Sequence, residues 1–153
     1  MNKIKLRATT TFGLEAVAKR EIENLDFSDI KVSDGYVEYI TDYRGIVQSN
    51  LWLRTADKIL MVIGEFEAVT FEELFDNTFA LPWTNLIPKD GNFIITGKSF
   101  KSTLSSVPAC QSITEKAIIK KLQTRYDIKR FPKTGAEYTV QVSILKNKVT
   151  LTL

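Results

Sequence analysis

An α+β chain is predicted by three features of the sequence. Short segments with apolar residues at every second position alternate with segments whose apolar residues fall three and four apart, the periods of strands and helices. Asp34-Gly35, between two alternating runs, is a hairpin signal of two residues. The first six elements follow the order strand, helix, strand, strand, helix, strand. That is the split βαβ order of a ferredoxin-like sandwich, an antiparallel sheet with two helices on one side. A second α/β unit begins near residue 67.

Taken in order, Ile4 to Thr10 alternates Ile4, Leu6 and Ala8 with Lys3, Lys5 and Arg7 and reads as a strand with one exposed face. Phe12 to Leu25 reads as a helix, with Thr11 as its cap and Leu14, Val17, Ala18, Ile22 and Leu25 as its apolar stripe. Strands from Ile30 to Ser33 and Tyr36 to Thr41 flank the Asp34-Gly35 turn. Asp42 to Arg54 returns to helical spacing through Ile46, Val47, Leu51 and Leu53, and Lys58 to Glu67 is a strand rich in Ile, Val and Met. Thr70 opens a helix over Phe71 to Ala80, with Glu72 and Glu73 in the first turn where acids suit the dipole. Leu81-Pro82-Trp83 breaks it, and Trp83 to Ile87 is a further short turn. Asn92 to Phe100 is a strand whose apolar run Phe93 to Thr96 predicts burial on both faces. A helix from Pro108 to about Tyr126, a basic loop Lys129-Arg130-Phe131-Pro132-Lys133, and strands Glu137 to Leu145 and Lys148 to Leu153 complete the chain. The final strand has no polar tail, which reads as a piece of something longer.

Composition narrows the chemistry. At 153 residues, 44% hydrophobic and 25% charged, the chain can build a real core without disulfide staples. With one cysteine, Cys110, and no histidine, an intrachain disulfide, histidine base catalysis and an ordinary zinc site are excluded. Cys110 is expected to be a small packed residue. No apolar run approaches the ~20 residues of a membrane span and the N-terminus lacks a signal-peptide core, so a cytoplasmic protein is expected. Residues 1–80 hold nine Lys/Arg against fourteen Asp/Glu, net −5, and residues 81–153 hold twelve against four, net +8. Such asymmetry points to a basic face for nucleic acid or another anion.

The basic half is organised around Gly97 to Leu122: a strand leaving through Gly97, a loop of lysines and hydroxyls, then a helix beginning at Pro108. A helix start leaves N–H groups unpartnered and carries partial positive charge, so it attracts anions. Lys98 and Lys101 lie on the approach and Ser102, Ser105 and Ser106 can donate from the loop. Along the helix, Ile118, Ile119, Leu122 and Tyr126 share one arc, and Ser112, Lys116, Lys120 and Gln123 share another. An ordinary solvated helix face has the same pattern, so both readings stand at this point. Phe66, Phe71, Phe75, Phe79 and Trp83 read as core, whereas Phe100 and Phe131 lie beside lysines in predicted loops and are candidates for base stacking.

Three blocks carry a family resemblance: Ala8-Thr9-Thr10-Thr11-Phe12-Gly13-Leu14-Glu15, Asn50-Leu51-Trp52-Leu53-Arg54-Thr55-Ala56, and Phe93 through Leu122 around Ser106-Val107-Pro108-Ala109-Cys110-Gln111-Ser112. Over essentially its whole length the chain resembles the N-terminal portion of bacterial RNA methyltransferases that carry a THUMP domain. In particular it looks like the group that methylates the exocyclic N2 of a guanine in 23S ribosomal RNA. The resemblance implies an N-terminal ferredoxin-like domain over 1–66 and an α/β THUMP domain over 67–153, with a looser THUMP boundary near 43. It also implies a C-terminal Rossmann-type methyltransferase domain in cis that uses S-adenosylmethionine. That third domain would bring a glycine-rich turn and an Asn-Pro-Pro or Asp-Pro-Pro motif; here the four prolines are isolated and no two of the seven glycines have G-x-G spacing. The chain is therefore expected to hold structured RNA without cofactor, metal or catalytic residues of its own. The implied RNA-binding residues are Lys98, Lys101, Ser102, Ser105, Gln111, Lys116, Lys120 and Lys121, with Arg130 and Lys133 added from charge. The acidic first half is expected to position its neighbours rather than grip phosphate. The alternative is a non-catalytic ferredoxin-like module that binds a protein or a small anion.

Overall fold

A computed structural model describes residues 3–127, 132 and 134–153. The chain divides into two units, Met1–Val62 and Ile63–Leu153, the division falling inside a strand.

The first unit runs β1 (Ile4–Thr9), α1 (Glu15–Glu23), β2 (Ser28–Ser33), β3 (Tyr36–Thr41), α2 (Tyr43–Trp52) and the start of β4 (Lys58–Glu67). β1 lies between β3 and β4, antiparallel to both, and β2 pairs antiparallel with the outer side of β3. This is the ferredoxin-like arrangement that the element order predicts. The register sets Leu6 beside Tyr39 and Met61, and Ala8 beside Val37 and Ile59. One sheet face therefore gathers Leu6, Ala8, Val37 and Tyr39 against Ala18 and Ile22 of α1, with Ile46 and Leu53 packed alongside. Arg7, on the alternate face, bonds Glu38 at 2.9 Å and lies over the Tyr36 ring. Gly35, at φ 85°, takes the left-handed position that its turn requires. Asp42 caps α2 by accepting from the N–H groups of Arg44 and Gly45. Inside, the Tyr39 hydroxyl donates to Ser49 Oγ at 2.7 Å, and Ser49 donates to the Gly45 carbonyl at 2.6 Å.

Two helix expectations need correction. α1 starts at Glu15, not Phe12, and Thr11 is not its cap; the Glu15 carboxylate instead accepts from the N–H groups of Gly13 and Gly35. The apolar stripes are borne out in part. Ala18, Ile22, Ile46 and Leu53 meet the sheet as expected, whereas Leu14 and Val17 are 39% exposed and Val47 and Leu51, with Tyr43 and Trp52, are each more than half exposed.

The second unit contains the end of β4, then α3 (Phe71–Phe79), α4 (Trp83–Leu86), β5 (Asn92–Phe100), α5 (Val107–Arg125), β6 (Glu137–Leu145) and β7 (Lys148–Thr152). Its strand order is β4-β7-β6-β5, with β5 and β6 parallel across the α5 crossover and β6 and β7 antiparallel. Thr70 and Glu73 form a reciprocal capping box at α3. The core joins Leu74, Trp83, Ile87, Phe93, Cys110, Ile118 and Leu122 to Val140, Val142, Ile144, Val149 and Leu151 of the sheet. The buried Trp83 Nε1 donates to the Thr78 carbonyl at 2.7 Å. β5 is not buried on both faces. It is the terminal strand of its sheet, Phe93 and Ile95 turn inward, and Ile94 is 43% exposed.

Dividing the charge by unit changes its meaning. The first unit carries nine Lys/Arg and nine Asp/Glu, and the second carries twelve and nine. The ferredoxin-like unit is therefore neutral rather than acidic. Five of the acids counted in the first half, Glu65, Glu67, Glu72, Glu73 and Asp76, belong to β4 and α3 of the second unit.

Candidate nucleic-acid interface

The strand, loop and helix from Gly97 to Leu122 form as one tightly joined piece. Gly97 faces α5, where an added Cβ would come within 3.1 Å of Gln111 Cγ and Val142 Cγ1. A side chain here would have to push Gln111 or Val142 aside by a few tenths of an ångström. Gln111 Nε2 donates to the Ile95 carbonyl at 3.1 Å, tying α5 to β5. Its amide nitrogen is thus engaged in the fold. Ser106 is the cap residue of α5 but its side chain makes no capping bond, and Pro108 in the first turn has no N–H to satisfy. On α5, Cys110, Thr114, Ala117, Ile118 and Leu122 are buried, and Ser112, Lys116 and Lys120 form an exposed stripe at four-residue spacing. Neither Lys116 nor Lys120 forms an ion pair among the described residues. Lys121 turns back toward α3, its Nζ 5.0 Å from the centre of the Phe79 ring.

Gly97 points at α5, so Lys98 points to the opposite sheet face, along with Phe100. Beyond Phe100 the loop is locked to the β6–β7 turn. Lys146 N–H donates to the Phe100 carbonyl at 3.1 Å. The Asn147 side chain accepts from Thr103 N–H at 2.8 Å, and Asn147 N–H donates to Ser102 Oγ at 2.9 Å. Ser102 Oγ itself donates to the Phe100 carbonyl at 3.0 Å. The Ser102 hydroxyl thus spends its proton inside the loop and helps to shape it. Ser105 is exposed at the loop's end.

The eight expected binding residues that lie among the described residues do not converge on one point. Lys98, Lys101, Ser102 and Ser105 belong to the strand end and loop, and Gln111, Lys116, Lys120 and Lys121 follow α5. At 1.5 Å per residue, Lys120 lies roughly 20 Å along the axis from the first turn. Arg130 and Lys133, with Phe131, lie outside the described residues. Lys146 and Asn147 were missed by sequence reasoning; their dipeptide reads only as a hairpin turn, and its link to Ser102 spans 45 positions.

Between β5 and α5 runs an open groove of about 410 Å³ lined by Phe93, Ile94, Ile95, Pro108, Gln111, Ser112 and Glu115. The Glu115 carboxylate there disfavours phosphate. Burial pushes the Cys110 thiol above its ordinary value, consistent with a packed residue and not a nucleophile. Among the described residues no group of three His, Cys, Asp or Glu side chains is placed to hold a metal ion. No helix of the described residues is long and apolar enough to cross a membrane.

Residues 5–60 match the RlmL ferredoxin-like domain and residues 68–153 the THUMP domain. The chain is 44% identical over 155 residues to YpsC of Bacillus subtilis (strain 168), a protein named as an RNA methyltransferase, covering all of this chain and 40% of that one. It is 27% identical over 121 residues to the ribosomal RNA large subunit methyltransferase K/L of Buchnera aphidicola subsp. Acyrthosiphon pisum (strain APS), covering 79% of this chain and 17% of that one. A solved structure from Listeria monocytogenes str. 4b F2365, described as an N6-adenine-specific DNA methylase, superposes with a TM-score of 0.95 at 46% identity, over 99% of this chain and 40% of the other. SMU.472, described as a methyltransferase and solved with SAH, gives a TM-score of 0.92 at 42% identity, over 99% and 41%. The chain therefore spans about 40% of the length of YpsC and of both solved relatives. A ferredoxin-like unit of the RlmL type followed by an α/β unit matched over its length places the chain in the THUMP domain family.

Proposed function

We propose that this chain is the RNA-holding N-terminal part of an S-adenosylmethionine-dependent methyltransferase. In this reading it presents structured RNA, 23S ribosomal RNA in particular, to a catalytic domain that modifies N2 of a guanine. The observation that carries the reading is the stripe of Ser112, Lys116 and Lys120, exposed along α5 with no carboxylate against either ammonium among the described residues. Ammonium groups held by a rigid helix and left unneutralised suit a polyanion, and A-form RNA is gripped mainly through phosphates and 2′-hydroxyls. The names of the relatives, which include an RNA methyltransferase and a structure solved with SAH, support the reaction class. Relatives described as RNA and as DNA methylases make the nucleic acid itself the question to test.

The test is equilibrium binding of the chain to hairpins transcribed from large-subunit ribosomal RNA and to DNA hairpins of the same sequence, across a salt series. Binding that favours RNA and weakens steeply with salt is expected. No RNA binding at low salt, together with capture of a specific protein partner, would favour the protein-binding alternative. For the parent enzyme, methyl transfer from S-adenosylmethionine to guanine N2, read by mass spectrometry of digested RNA, is the expected outcome; a methylated adenine would overturn it.

A further inference from the structure

Lys146 and Asn147 are the two residues joining β6 to β7, and both have positive φ, 49° and 68°. Positive φ at both positions is the signature of a type I′ turn, for which Asn-Gly is the favoured pair. Asparagine tolerates this backbone; lysine gains nothing from it. A second left-handed lysine, Lys101 at φ 48°, follows Phe100, whose carbonyl accepts from the Lys146 N–H. The bond from Lys146 to Phe100, the residue before Lys101, thus ties together the two segments that carry the left-handed lysines, both exposed and neither ion-paired among the described residues. Phe100 is 59% exposed on the same strand face as Lys98, and Leu145, its cross-strand partner, is 51% exposed. Lys101 Nζ lies 5.3 Å from the centre of the Phe100 ring. Non-glycine residues persist in the left-handed region when their surroundings over-determine them, and such positions cluster where ligands are held. The surroundings here are the bonds of Asn147 to Ser102 and Thr103 and its carbonyl to Ala68 N–H.

We propose that this corner is a second RNA subsite, separate from the α5 stripe, that takes an unpaired nucleotide. The base stacks on Phe100 against Leu145, and Lys101 and Lys146 hold the flanking phosphates. Asn147 is a positioning residue that fixes both lysines. An exposed ring with an ammonium group over it suits an unstacked base, because bases within a duplex already have their faces covered. The inference rests on the RNA-binding reading above and adds the form of RNA that this corner selects.

Two variants separate the site from the fold. Lys146→Gly relieves the turn's backbone, so its thermal midpoint is expected to match or exceed that of wild type while RNA affinity falls. Phe100→Ala removes an exposed ring and is expected to abolish any preference for an unpaired base. The probes are a fluorescent hairpin with a single bulged purine and the same hairpin fully paired, titrated against the whole chain. Wild type is expected to favour the bulged hairpin by about fivefold or more, in line with stacking of one base on an aromatic ring, and Phe100→Ala to bind both equally. If wild type binds both hairpins alike, or Phe100→Ala keeps the preference, the subsite is wrong while the RNA-binding reading stands. If wild type binds neither, both fail together.

Discussion

Reversing the charge of Lys116 and Lys120 together tests whether α5 meets phosphate. The two side chains stand one helical turn apart, about 6 Å along the axis, so each can meet its own phosphate on one side of a duplex. Each phosphate contact contributes roughly 0.7–0.9 to the slope of log affinity against log salt, so losing two lowers the slope by about 1.4–1.8. Over a fourfold rise in salt, the wild-type advantage over Lys116→Glu with Lys120→Glu then shrinks by about 7–12-fold. Repulsion from the new carboxylates adds to the loss at low salt. Stability is expected to change little, since both positions are exposed and Glu and Lys have similar helix propensity. The assay is fluorescence anisotropy with a labelled RNA hairpin at several salt concentrations. The control is Lys19→Glu with Lys31→Glu, the same charge change placed in the ferredoxin-like unit. An unchanged slope in the α5 variant, or an equal drop in the control, would refute the assignment of the stripe.

Two further predictions concern the scaffold. Thr70→Ala removes the acceptor for Glu73 N–H in the α3 capping box; a loss of about 1 kcal/mol and a midpoint lower by roughly 2–4 °C are expected by thermal melting. Glu15 is held below its usual 4.5, chiefly by its own backbone N–H; desolvation opposes this, and the N–H groups of Gly35 and Gly13 add to the lowering. A carboxylate depressed in the folded state contributes stability that is present above its unfolded value and lost as pH falls through the folded value. Glu15→Gln is therefore expected to be less stable than wild type near neutrality, with the gap closing below pH 4.5. A gap that is the same at neutral and strongly acid pH in chemical denaturation would count against the link between α1 and the β2–β3 turn.

The parts of this fold that were legible are those fixed by neighbours in sequence. Asp34-Gly35 makes its own turn, Thr70 and Glu73 make their own cap, and period-two alternation fixes which face of β1 is apolar. What depends on distant partners was not legible. On α2, Tyr43, Val47 and Leu51 repeat at helical spacing as regularly as the residues that pack, and nothing local says which arc meets the sheet. β5 looks buried because its residues are apolar, but strand order makes it an edge. The charge asymmetry was real along the chain, yet it divided the second unit internally rather than separating two domains. That Ser102 accepts from the distant Asn147 N–H was likewise beyond any local pattern.

The exposed margin of β5 carries a hazard unrelated to RNA. A terminal strand with open backbone groups invites another strand to add to it, and natural proteins deter this with lysine at such margins. Lys98, solvent-facing two residues from the end of that strand, is suited to keep copies of the molecule from zipping together. Replacing it with an apolar residue should therefore produce self-association in concentrated solution before any change in nucleic-acid affinity can be read cleanly.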